Sequence, residues 1–304
     1  MSIRKLGRAR FLSMLFSLRF SILLPVLALY LPCQAASDEE HRVVSDIEYA
    51  VVDGSSLKLD LHLPGAKNPP VIVWVHGGAW RAGDKSDMPL GRLVAQGYAV
   101  ASVDYRLSVV APFPCMIHDI KAAIRFVRAK AGEYGYDAGK LAVAGSSAGG
   151  HLAALVGVTN GVKALEGTVG GYLDQSSDVG ATISLFGASN LMTILSQSKP
   201  QGLKMRVPAL QLLLDGQPDE KPELAKLASP VTHLDAKDPP LLLIHGDADP
   251  QMPPEQSQEL AAACKKAVMT VQLEILPGAS HGGKVFFDDT RTALMKAFLE
   301  KALK

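Results

Sequence analysis

Six short apolar runs, at 71–75, 98–103, 141–144, 181–185, 241–244 and 271–276, constrain this chain more than any other feature. They mostly lack the apolar/polar alternation of a strand with one wet face, so they read as strands covered on both faces. Between them lie segments of helical pattern, at about 88–96, 116–130, 148–159 and 254–267, with 285–303 closing the chain. Ile117, Ile120, Ala123, Ile124 and Val127 show the clearest one-sided repeat. Alternation of this kind selects a doubly wound α/β architecture, and right-handed crossovers put helices on both faces of the sheet. Two further β-rich runs, 43–52 and 57–63, are joined through Asp53-Gly54 and predict an antiparallel hairpin ahead of the parallel strands. The expected sheet thus has eight strands, mostly parallel. At 304 residues and 48% hydrophobic content the chain can build one such domain. Only 188–229 breaks the rhythm; it is too long for a simple connection, carries an apolar block at 207–214, and reads as a small cap insertion.

The first 35 residues stand apart. Arg4, Lys5, Arg8 and Arg10 precede an apolar run from Phe20 to Leu31, and the small residues Ala35 and Ala36 follow, which is the pattern of a signal peptide. The run is shorter than the ~20 residues that span a bilayer. Exported, periplasmic or secreted, is the expected location; an uncleaved membrane anchor is the alternative, and lipidation at Cys33 is disfavoured by Pro32 before it. Five of the 31 basic residues and none of the 30 acidic ones lie in this segment, so the mature chain, 36–304, carries a net charge near −4. With no basic run left to neutralise a line of phosphates, nucleic acid is not an expected partner. Cys115 and Cys264 remain, on two different expected helices, and read as buried free thiols; pairing in an oxidising compartment is the alternative.

Ligand sites in open α/β sheets form outside the carboxyl ends of the strands. There, directly after 141–144 and directly before an apolar helix, stands Gly145-Ser146-Ser147-Ala148-Gly149, of the form G-x-S-x-G. The five-residue pattern alone arises by chance in roughly one chain of this length in ten, so its placement is the informative part. In a strand-turn-helix the serine occupies a strained turn, and side chains at Gly145 and Gly149 would collide where helix and strand pack closely. A serine hydroxyl needs a neighbouring base to become nucleophilic, and the base needs an orienting carboxylate. Two later strand ends offer them: Asp249 in His245-Gly246-Asp247-Ala248-Asp249-Pro250, and His281 in Gly278-Ala279-Ser280-His281-Gly282-Gly283. Ser147, Asp249, His281 is the chain order of the α/β-hydrolase arrangement. Asp247 competes with Asp249, its alternative role being a hydrogen bond within the loop. His151, one helical turn after Ser147, and His245, at the end of a buried strand, compete with His281 and read as packing histidines. No His/Cys/Asp/Glu cluster has zinc-ligand spacing, and the chemistry requires neither metal nor cofactor.

His76-Gly77-Gly78-Ala79-Trp80 follows the strand at 71–75, where such a fold places the loop that completes an oxyanion hole. The donors assigned from sequence are the N–H groups of Gly78 and Ala148, with Gly77 as a third candidate. His76 reads as a structural tie. Trp80 is the candidate substrate-binding side chain, packing being its alternative role.

Together with Asp104-Tyr-Arg-Leu107, Pro112-Phe-Pro114, Asp119, Ser229-Pro-Val-Thr-His233 and the block from His245 to Ser257, these motifs resemble the BD-FAE group of α/β-hydrolases. The group comprises bacterial carboxylesterases related to feruloyl and acetyl esterases and, more distantly, to the hormone-sensitive-lipase group. The resemblance covers essentially all of the chain after residue 43. It implies Asp249, the last residue of the H-G-x-x-D block, as the triad aspartate, and small acyl or aromatic-acyl esters as substrates. The loop departs from the lipase-like H-G-G-G, and few residues precede the first strand to build an N-terminal cap; both weaken a lipase assignment. The expected function is a serine carboxylesterase acting on a small-molecule ester. The rivals are an aryl-formamidase, a serine peptidase, and a non-catalytic binding protein on the same fold.

Overall fold

The protein is described by a computed structural model over residues 41–304. The expected signal peptide, Cys33 and residues 36–40 lie outside the described residues. Eight strands form one sheet in the order β1-β2-β4-β3-β5-β6-β7-β8. β1 (Arg42–Val52) and β2 (Ser55–Leu63) are the antiparallel hairpin, turning at Asp53 and Gly54, both at positive φ. Leu57, Leu59, Leu61 and Leu63 alternate inward along β2, which then pairs antiparallel with β4 (Ala99–Val103). From there every pairing is parallel through β3 (Pro70–Val75), β5 (Asp137–Ser146), β6 (Ala181–Leu185), β7 (Leu241–Gly246) and β8 (Val271–Leu276).

Helices cover both faces, as right-handed crossovers require. On the first face α2 (Cys115–Ala129) and α4 (Ala148–Gly157) share a core with Val71, Val73 and Val75, while α9 (Glu255–Lys266) packs with Leu241, Leu243 and Ala154. On the other face α1 (Gly91–Ala95) and α10 (Asp289–Ala302) pack on Ile72, Trp74, Ala142 and Ile183. Short α3 (Ala131–Tyr134) and α5 (Lys163–Glu166) fill connections. The segment 188–229 forms α6 (Ile194–Gln197), α7 (Pro200–Leu214) and α8 (Pro222–Leu227), with Pro208 inside α7. No helix of the described residues is long and apolar enough to cross a membrane. Cys115 and Cys264 are buried free thiols.

Three expectations need correction. β8 is not covered on both faces: among the described residues it is an edge strand paired only with β7, and five of its six residues keep solvent contact. The first helix starts at Gly91 and not at 88, because Met88 precedes Pro89, and the residue before a proline is pushed out of helical geometry. The last helix starts at Asp289, since the Asp288 carboxylate accepts the Arg291 N–H at 2.8 Å and caps it there, leaving 284–286 as a single 3-10 turn.

One buried ion pair ties the sheet to α2 beside the expected site. Arg106, just past β4, donates Nε and Nη2 to the two oxygens of Asp119 at 2.9 and 2.8 Å, and its backbone N–H donates to the same carboxylate at 2.9 Å. Asp119 has no exposed surface. Removing one partner strands the other charge in a poor solvent. Arg106→Met, which strands the fully buried Asp119 carboxylate, is therefore expected to lower the unfolding free energy by about 3–5 kcal/mol, and Arg106→Met combined with Asp119→Leu to lose much less. Urea titrations of both variants measure the difference.

Candidate active site

The site is assembled by sheet register. β3 and β5 pair so that Val75 faces Gly145, which brings the loop 76–80 beside the turn at Ser147. β7 and β8 pair so that Gly246 faces Leu276, which brings the Asp249 and His281 loops together. Ser147 N–H donates to Leu185 O at 2.9 Å, fixing the turn to the end of β6 between these pairs.

Ser147 has φ 53° and ψ −116°, a left-handed position that a side-chain-bearing residue adopts at a cost of about 1–3 kcal/mol. The surroundings hold it there. A Cβ at Gly149 would lie 2.0 Å from Val75 O, and one at Gly145 would lie 2.3 Å from Gly149 O, so α4 approaches β3 and β5 at backbone contact distance. The collision expected from the sequence at these two glycines is thus present in space.

Ser147 Oγ lies 2.8 Å from His281 Nε2, and His281 Nδ1 lies 2.6 Å from Asp249 Oδ2. An ionised carboxylate only accepts, so Nδ1 carries the imidazole proton and Nε2 presents its lone pair to the hydroxyl. Asp249 is 2% exposed. Burial would raise its pKa, but the facing His245 Nε2 at 3.4 Å, the hydrogen bond from His281 and the Met252 N–H hold it well below the usual carboxylate range. Its Oδ1 accepts the N–H groups of Gln251 and Met252, both at 2.8 Å. Chemically, this line of groups can draw a proton from a hydroxyl and stabilise the imidazolium that results.

The competing residues are occupied elsewhere. Asp247 accepts the Gly278 N–H at 2.6 Å, a bond between the two loops. His245 lies 3.1 Å from Met252 O through Nε2 and 2.7 Å from Ser257 Oγ through Nδ1; Nε2–H therefore donates to the carbonyl and Nδ1 accepts the hydroxyl. His151 accepts Trp80 Nε1–H at 3.0 Å through Nδ1 and donates Nε2–H to Ala228 O at 2.6 Å. Burial pushes its pKa down to about 4, so it is neutral at pH 7.

The loop 76–80 is shaped by His76, whose Nδ1–H donates to Gly77 O at 2.7 Å and whose ring stacks on Tyr105 at 4.4 Å. Burial lowers its pKa, which favours the neutral ring. Gly78 sits at φ 108°, where a Cβ would fall 1.9 Å from Ala82 O. Among the described residues the N–H groups of Gly78 and Ala148 have no protein acceptor. Both glycines of the loop, with Ser147, Phe186 and His281, line a cavity of about 410 Å³, a volume that suits a small organic ligand.

Trp80 is not at this cavity. Ala79 and Trp80 both have positive φ, and the indole is turned inward with no exposed surface, hydrogen-bonded to His151. Its place is that of a packing residue. The sequence reasoning missed Phe186, Met205, Arg206 and Gln251, which also line the cavity. Phe186 follows the end of β6 and packs edge-on against His281 at 4.8 Å, so its strand-end position was a usable signal. Arg206 carried no such signal.

The BD-FAE family model matches residues 59–264. The chain is similar to the esterase LipC of Mycobacterium tuberculosis, with 34% identity over 71% of this chain and 53% of that one. It spans about half the length of the curated relatives it matches first. Among solved structures it is similar to a truncated carbohydrate esterase from gut microbiota, at TM-score 0.80 and 32% identity, over 88% of this chain and 98% of that one. It is also similar to esterase 2 of Thermogutta terrifontis phosphoramylated by tabun, at TM-score 0.68 and 28% identity, over 86% and 94%.

His151 gives the site a measurable pH signature. In the unfolded chain an ordinary histidine takes a proton near pH 6.5, while the folded ring resists until about pH 4. The unfolded state binds more protons between these values, so the contribution is fully present above about pH 6.5 and is lost as pH falls toward 4. Unfolding titrations at pH 7 and pH 4.5 are expected to show the wild type losing about 2–3 kcal/mol more than His151→Gln over that interval. Parallel losses in the two proteins contradict the assignment.

Proposed function

The chain belongs to the BD-FAE family of α/β-hydrolases, and on that premise we propose that it is a serine carboxylesterase acting through an acyl-enzyme. The observation that carries this reading is the continuous hydrogen-bonded line Ser147 Oγ, His281, Asp249, at 2.8 and 2.6 Å. In this reading Ser147 attacks the ester carbonyl while His281 Nε2 takes the hydroxyl proton, and Asp249 holds the imidazole and offsets its charge. The N–H groups of Gly78 and Ala148, with Gly77 beside them, stabilise the developing oxyanion, each donor lowering the barrier by about 3–4 kcal/mol. The proton returns to the alcohol as it departs; water, activated by the same imidazole, then releases the acid.

The substrate is a small acyl or aromatic-acyl ester, a choice supported by the size of the cavity and by Phe186 on its wall. The tabun-modified Thermogutta esterase supports a phosphonylating probe as reporter of Ser147. The helices at 188–229 act as a small cap, since Met205 and Arg206 of α7 line the same cavity. Residues 1–35 act as an export signal, in accord with their basic start and apolar run.

Ser147→Ala is expected to reduce p-nitrophenyl acetate hydrolysis by about 10⁴-fold or more, with an unchanged circular dichroism spectrum and no labelling by a fluorophosphonate. Asp249→Asn is expected to reduce kcat by about 10³–10⁴-fold while labelling only slows. Retained turnover in Ser147→Ala refutes the reading. Turnover of N-formylkynurenine in preference to phenyl esters points to a formamidase instead.

A further inference from the structure

Arg206 is a buried cation with no carboxylate within 4 Å among the described residues, on the wall of the proposed reaction cavity. It projects from α7 and is 3% exposed. Its guanidinium lies 5.6 Å over the Trp80 ring, and Nη2 donates to Gln251 O at 2.9 Å. Those are its anchors. Nε is buried with no partner among the described residues, and no carboxylate there approaches Arg206 within 4 Å. Asp249 influences it at longer range, but that carboxylate already accepts from Gln251, Met252 and His281.

A guanidinium has five N–H donors in a planar fork that matches a carboxylate, and no acceptor. Among the described residues only one of the five has a protein acceptor. Arg128, half-buried, spends its donors on the backbone carbonyls of Ala138, Ser176 and Asp178. Arg125, as buried as Arg206 and also with Nε unpartnered among the described residues, gives its Nη groups to Glu166 O and Val169 O with the Glu166 carboxylate 3.8 Å away. Arg206 instead keeps donors in reserve on the wall of the cavity that Ser147 and His281 also line, and Arg81 adds a second cation to the lining against one acid, Asp87. Although burial lowers its pKa to about 10, the group stays protonated at neutral pH.

We propose that Arg206 is a specificity-determining residue that receives a carboxylate carried by the substrate itself, within a few bonds of the scissile ester. The preferred substrates are then acyl esters of alcohols that bear a carboxylate, or half-esters of dicarboxylic acids. This rests on the esterase reading and narrows its substrate class.

The test compares charged esters with uncharged isosteres. 3- and 4-acetoxybenzoate are measured against the matching acetoxybenzamides, and monomethyl terephthalate against methyl 4-carbamoylbenzoate. The wild type is expected to prefer the acid in at least one pair by tenfold or more in kcat/KM, chiefly through KM. Arg206→Gln is expected to lower that preference at least tenfold, and Arg206→Lys to keep part of it. Equal handling of acid and amide by the wild type overturns the inference. So does an Arg206→Gln variant whose rates fall equally for both, which marks a purely structural anchor. If no ester is turned over, p-nitrophenyl acetate included, the esterase reading fails separately. Calorimetric binding of benzoate and benzamide to wild type and Arg206→Gln then decides: benzoate-selective binding lost in the variant supports the carboxylate site, and its absence overturns it.

Discussion

The approach of helix α4 to the ends of β3 and β5 is the constraint on which the rest of the site depends. It is a backbone-to-backbone contact, since any Cβ at Gly149 or Gly145 would lie within 2.3 Å of a carbonyl oxygen. Because the helix starts so close to the sheet, the chain has a single residue in which to reverse, and that residue is forced to positive φ at Ser147. The same reversal starts α4 at Ala148, whose N–H has no protein acceptor among the described residues. A helix N-terminus carries about half a positive charge, so the turn places a hydroxyl beside a partial charge suited to an oxyanion. Strain, close packing and electrostatics are thus three aspects of one contact.

The charged groups around this turn are handled in two ways. Asp249 is kept ionised in a buried position by donors, two backbone N–H groups and a histidine within hydrogen-bond reach and His245 Nε2 at 3.4 Å. His76 and His151 are kept neutral by burial, each with a ring nitrogen committed to a neighbour. His281 alone of these has a ring nitrogen directed at a side-chain hydroxyl in a cavity. Buried polar groups that are fully paired rigidify their surroundings, and here the paired histidines frame the one that faces Ser147.

Most of the architecture was legible because its causes are local or periodic. Unalternating apolar runs gave six of the strands, Asp53-Gly54 gave the hairpin turn, and the two motif glycines announced the close approach of α4. The chain order of Ser147, Asp249 and His281 was readable because each follows a strand end, and parallel register then brings strand ends together. What escaped depended on details that spacing does not encode. Pro89 and the Asp288 carboxylate moved helix starts by a few residues. Paired positive φ values at Ala79 and Trp80 turned an aromatic inward that had seemed fit to meet substrate. Arg206 lies in a helix with no motif, and its neighbours Trp80 and Gln251 are far away in sequence, so nothing linear marked it.

That last group explains how the segment 188–229 is joined to the sheet. Ala228 O accepts from His151, His151 accepts from Trp80, and Trp80 lies under the Arg206 guanidinium, which donates to Gln251 O beside Asp249. One continuous set of contacts therefore passes from the end of the segment through α4, the loop after β3 and α7 to the Asp249 turn. Three of its members also lie within a few residues of a group proposed to act on the ester: His151 follows Ser147 by one turn, Trp80 follows Gly78, and Gln251 follows Asp249. A change of volume at His151, Trp80 or Gln251 is therefore expected to be felt at the neighbouring group, because close-packed interiors transmit displacement. The segment 188–229 is thus tied by these contacts to the turns that carry the groups proposed to react, and substitutions in α7 that alter the cavity wall act next to that geometry.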